Sequence, residues 1–216
     1  MPVLDRLILA CVAAAIVTFA RPALAGAYED ILVAARDDRT AIVVDLIRRG
    51  MDVNTTDRSG TTLLMFAAGN GNEPLLDFLL RNNANILIQN KYGDTAMSVA
   101  ALKGRLAIVR RLAESGAPIA TSGWNPLHYA AFGGHADVAK YLIAEHAPLD
   151  ARAPNGQTAL MLAAETGHLD VVRLLVAAGA DKAAKDPGGK TALDLALKAG
   201  NTDIADVLAS EGAEQR

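Results

Sequence analysis

Four histidines, one cysteine and scattered carboxylates are the side chains on which catalysis or metal binding would have to rest. A zinc site needs three or four His, Cys or carboxylate ligands at short, fixed spacings. His146 has no His, Cys or acidic partner at such a spacing. Cys11 is the only cysteine, so the chain beyond residue 25 has no thiol to act as nucleophile or disulfide partner. There is no Gly-x-Ser-x-Gly elbow and no glycine-rich phosphate loop. The expectation is a protein that is not an enzyme and holds neither metal nor cofactor.

The elements that would position any site come next. The 216 residues are 51% hydrophobic but only 4% aromatic. The apolar fraction is mostly Ala, Leu and Val, which supports a core of closely packed helices. With 21 basic and 24 acidic residues the formal charge is −3. That balance offers no clustered footprint for nucleic acid.

The chain starts with Met1–Arg6 and continues as Leu7–Phe19, thirteen uncharged and almost wholly apolar residues. Arg21-Pro22 interrupts the run, and Ala23-Leu24-Ala25 puts small residues before Gly26. These are the three parts of a secretory signal peptide, residues 1–25. As an uncleaved membrane helix the run falls short of the ~20 residues that span a bilayer. Ile8-Leu9-Ala10-Cys11 has the outline of a lipoprotein box, but cleavage there would leave too short an apolar region before the cut. Removal of the peptide leaves a cysteine-free chain suited to an oxidising compartment. The expected location is the bacterial periplasm, with extracellular release second. No stable membrane insertion is expected, and the expected state is a monomer.

After Gly26 the sequence is periodic. Gly60-Thr61-Thr62-Leu63, Gly93-Asp94-Thr95-Ala96, Gly123-Trp124-Asn125-Pro126, Gly156-Gln157-Thr158-Ala159 and Gly189-Lys190-Thr191-Ala192 recur, their glycines 33, 30, 33 and 33 residues apart. Each is followed by a small-residue pair such as Ala67-Ala68, then a turn glycine (Gly71, Gly104, Gly134, Gly167, Gly200) and an aliphatic stripe. The pattern predicts helix, turn, helix, loop. Thr62, Thr95, Asn125, Thr158 and Thr191 stand where a side-chain oxygen caps the first helix, with Pro126 at a first helical position. Glycines such as Gly116 and Gly179 suit the left-handed residue that ends the second helix. Asn83 tolerates that place, and His146 is strained in it.

These motifs resemble the ankyrin-repeat family, most closely in Asn125-Pro126-Leu127-His128 and Gly179-Ala180-Asp181. The resemblance implies an all-α solenoid of about six helix-turn-helix units with short finger loops. Their bounds are about 27–58, 59–91, 92–121, 122–154, 155–187 and 188–216. It makes His128 a framework histidine and His135 and His168 turn histidines, hydrogen-bonded within or between repeats. The first unit lacks the opening finger, and the last has Asp194 at the framework position and ends in Glu211, Glu214, Gln215 and Arg216. Both departures fit capping repeats that turn a polar face to water. Asp203 and Asp206 fall on the solvated outer face.

In this family a protein partner lies against the concave side made by fingers and first helices. The family's variable positions there gather Phe66, Lys103, Trp124, Tyr129 and Phe132, with Tyr92 beside them. Large rigid aromatics at exposed positions anchor binding. The alternative is that Phe66, Tyr129 and Phe132 pack between neighbouring repeats. The fourth finger, between Gly116 and Gly123, has lost three residues beside Trp124. The gap makes either a notch or a neutral loop deletion. The expected function is non-enzymatic binding of an unidentified protein, as an envelope scaffold or accessory factor. The alternative is an inhibitor or immunity protein that occludes a toxic enzyme.

Overall fold

The computed structural model describes residues 26–210; the expected signal peptide, 1–25, and the acidic end, 211–216, lie outside the described residues. Among the described residues the chain is helical, in six pairs. They are α1 (26–36) with α2 (Thr40–Arg48), α3 (Leu63–Asn70) with α4 (Glu73–Arg81), and α5 (Ala96–Leu102) with α6 (Leu106–Glu114). The others are α7 (Pro126–Gly133) with α8 (Ala136–Ala144), α9 (Ala159–Thr166) with α10 (Leu169–Ala177), and α11 (Ala192–Ala199) with α12 (Thr202–Ser210). The described residues contain no strand, only an isolated antiparallel bridge between Thr56 and Thr62.

Each first helix starts where its cap dictates. Thr62, Thr95, Asn125, Thr158 and Thr191 all accept a hydrogen bond from the backbone N–H three residues on. That bond satisfies one of the donors a helix start leaves unpaired. First helices stack on one another, α3 on α5, α5 on α7, α7 on α9 and α9 on α11. The alanine pairs make this close approach possible: Ala67, Ala68, Ala100, Ala101, Ala130, Ala131, Ala163 and Ala164 are fully buried. One continuous apolar core therefore runs the length of the stack from Ile31 to Leu208.

Second helices are held differently. The residue after each turn glycine sends its side chain back to the preceding unit. His135 Nε2 lies 2.9 Å from the Leu102 carbonyl, His168 Nε2 lies 3.0 Å from that of Phe132, and Asn201 donates to Ala164 at 2.9 Å. In these units the side chain joins two repeats instead of capping its own helix, since neither His135 nor His168 makes a side-chain cap. Asn72 does both, accepting from Leu75 while its amide donates to Thr40.

The second helices of the second and fourth units end on left-handed Asn83 and His146, with φ of 61° and 62°. The last unit turns Asp194, Asp203 and Asp206 to solvent, as expected of a polar cap, but apolar side chains are exposed at both ends as well. Ile42 is 42% exposed, and Leu197 is 58% exposed where the inner units bury an alanine. Both ends keep residues of interior type because the repeat register carries the core pattern through to the last described helices.

Candidate functional site

The centre of the site is built around the shortened finger. Other fingers are closed by a pair of backbone bonds, such as Asn90 N–H to Asp94 and Gly93 N–H to Asn90. Asp57, Asn90 and Asp186 add side-chain acceptors for the finger's own N–H groups. Between Ala117 and Asn125 neither closing bond is formed among the described residues. The chain passes directly into the cap, where Asn125 Oδ1 accepts from the His128 N–H at 2.9 Å and His128 Nδ1 accepts from the Asn125 N–H at 3.1 Å.

This reciprocal lock fixes Trp124 over the first turn of α7. Its ring lies 5.3 Å from Tyr129, 6.0 Å from His128 edge-on, and 6.1 Å from Phe132 at right angles. The Tyr129 hydroxyl donates to Asp94 of the preceding finger. Burial, then that hydrogen bond and the carboxylate's charge, push the phenol far above the usual tyrosine range. It therefore stays a protonated donor tying the third and fourth units together. His128 is buried and reaches the Ala151 carbonyl, 2.9 Å away, with Nε2. Burial lowers its proton affinity, so the ring is neutral, with the proton on Nε2.

The expected site residues divide by exposure. Trp124 is half-buried at the hub of the cluster, and Phe132 beside it is 46% exposed. Tyr92 projects from its finger at 78% exposure. Tyr129 and Phe66 are half-buried and pack against the core. Phe66 lies under the Arg36 guanidinium, 5.7 Å from the ring centre. Lys103 is exposed at the end of α5. Trp124, Tyr129 and Phe132 thus form one patch, joined through Asp94 to the finger that carries Tyr92. Phe66 is a separate aromatic two units earlier. Sequence reasoning missed Arg36, whose signal was its place 33 residues before Gly69. Among the described residues no group of three or more His, Cys or carboxylate side chains converges as a metal site.

This arrangement defines a helical repeat solenoid whose fingers and first helices share one face. A family model described as ankyrin repeats matches residues 31–122, 64–153, 119–186 and 146–216, a run unbroken from 31 to 216. The chain belongs to the ankyrin-repeat family, whose repeats are generic protein-binding modules. It is 36% identical over 126 residues to glycerophosphocholine phosphodiesterase GDE1 of Candida albicans, covering 55% of this chain and 11% of that protein. It is 36% identical over 105 residues to a transient receptor potential cation channel subfamily A member 1 homolog of Caenorhabditis elegans, covering 48% and 9%. It is also 38% identical over 86 residues to the Notch-regulated ankyrin repeat-containing protein of Homo sapiens, covering 37% and 75%. The chain thus spans only about a tenth of the first two relatives. No helix among the described residues is long and apolar enough to cross a membrane.

Proposed function

We propose that this is an exported, non-enzymatic binding protein of the bacterial envelope, holding one partner protein against its inner, concave face. The observation that carries the reading is the Trp124–Tyr129–Phe132 cluster, with Phe132 open to solvent beside the shortened finger. A preformed aromatic surface on a stacked scaffold loses little ordering entropy when it docks. The signal-peptide pattern of residues 1–25 supports export and a periplasmic site of action, with extracellular release second. The lack of a thiol beyond residue 25, of a Gly-x-Ser-x-Gly elbow, of a phosphate loop and of metal-ligand spacing supports a role without chemistry of its own.

The test is capture from native periplasmic extract, comparing wild type with Trp124→Ala/Phe132→Ala and identifying eluates by mass spectrometry. A stoichiometric protein lost with the variant supports the reading. A toxic enzyme inhibited on capture turns the role into that of an inhibitor or immunity protein. An eluate identical for both proteins, with the variant folded, refutes the face. Retention of residues 1–25 after secretion-competent expression refutes export by signal cleavage.

A further inference from the structure

The second and third units carry charge on the inner face as well as shape. Arg58 and Lys91 stand exposed at the tips of the second and third fingers, and Lys103 is exposed at the end of α5. None belongs to an ion pair among the described residues, where the pairs are Arg39–Asp37, Arg49–Asp45, Arg111–Asp77 and Arg111–Glu114. The acids of the same fingers are differently placed. Asp57 Oδ1 accepts from the N–H groups of Ser59 and Thr61, at 2.8 and 2.9 Å, and from the Ser59 hydroxyl. Asp94 accepts from Tyr129 and from the Asn90 amide. These carboxylates are occupied by internal donors, while the cations stand free to meet a ligand.

Lys91 is on the finger whose Asp94 bonds Tyr129, Lys103 follows Leu102, whose carbonyl His135 meets, and Arg58 is on the finger whose Ser59 carbonyl accepts from the Lys91 N–H, so unpaired cations stand on the units next to the aromatic patch.

From this juxtaposition, and resting on the reading of the inner face as the docking surface, we infer that the partner offers an acidic segment with one bulky apolar side chain. The apolar side chain seats against Trp124 and Phe132, whose rings meet at 90°. The flanking carboxylates meet Lys103, Lys91 and Arg58. Exposed charges of this kind add little to affinity individually but raise the association rate, and salt screens them over about 8 Å at physiological strength. Three cations are too few to track a nucleic-acid backbone.

The probe is a phage-displayed library of random 12-residue peptides selected on the purified protein, with the best peptide resynthesised with a fluorophore. The expected pool carries net negative charge and one Trp, Phe or Leu. Arg58→Glu/Lys91→Glu/Lys103→Glu should weaken binding of that peptide about tenfold. Trp124→Ala/Phe132→Ala should weaken it by on the order of 30-fold. Circular dichroism and the thermal transition keep unfolding out of the comparison, and Trp124→Phe should bind like wild type. Trp124-dependent peptides with no acidic excess refute the acidic class and leave the face standing. No Trp124-dependent peptide at all overturns both, and a 12-nucleotide oligothymidine that binds more tightly overturns the peptide partner.

Discussion

Replacing His128 by alanine tests how the units are joined. The ring makes two hydrogen bonds from a side chain 1% exposed: one accepted from Asn125 at 3.1 Å and one to Ala151 at 2.9 Å. The substitution removes both, at ~1 kcal/mol each, and leaves a donor and an acceptor unpaired around a ring-sized void. A loss of about 3 kcal/mol follows, or roughly 6–12 °C in Tm for a chain of this length. The loss should depend on pH. Because burial lowers the affinity of His128 for a proton in the fold, the unfolded chain takes up the proton first as pH falls. Wild type is therefore unpenalised above about pH 6.5 and loses stability below it, by at most ~1.4 kcal/mol per pH unit. The variant lacks this contribution, while His135, His146 and His168 are common to both proteins. Urea unfolding followed by circular dichroism at pH 7.5 and 5.0 should show the gap between the two proteins shrinking in acid. A gap that stays constant or widens would refute the lowered proton affinity of His128, and a Tm loss under about 2 °C would refute its two hydrogen bonds.

Asn125→Thr should stabilise the fold by about 1 kcal/mol in the same assay. The amide nitrogen of Asn125 is buried without a partner, whereas threonine keeps the capping oxygen, as in the other four units. A destabilised variant would show that the amide has a partner in solution. His146→Gly should raise stability by about 0.5 kcal/mol, since relief of the left-handed residue outweighs glycine's added freedom when unfolded. Equal or lower stability would dispute the strain. Amide hydrogen exchange should be fastest at residues 118–124 among the fingers, because the closing backbone bonds of the other four are missing there. Protection equal to that of residues 90–94 would contradict the open finger.

The helix starts were legible because a cap is a local bargain between one side chain and an N–H three residues away. Thr62, Thr95, Asn125, Thr158 and Thr191 all cap in the structure. The left-handed Asn83 and His146 were legible for a similar reason, since each holds the place of a glycine in a repeating frame. Exposure along the inner face was not. Tyr129 and Phe132 sit one turn apart on α7, yet Tyr129 bonds Asp94, 35 residues away, while Phe132 stays open. What separates them is a partner on the neighbouring unit, and periodicity within one helix carries no record of that. Exposed Ile42 and Leu197 were missed because only polarity was inferred from the need for a cap, whereas these two follow the repeat frame.

The turn-side bonds share a direction. Asn70, His135, His168 and Asn201 all offer their side chains to carbonyls made earlier in the chain, 33 to 37 residues back. Each of these turns therefore finds its acceptor on the unit that precedes it. The stack is keyed like a row of bricks, each unit to its neighbour, with no bond of this kind reaching to a distant end of the chain. A defect in one unit should be felt first in its immediate neighbours, whichever end it lies nearer.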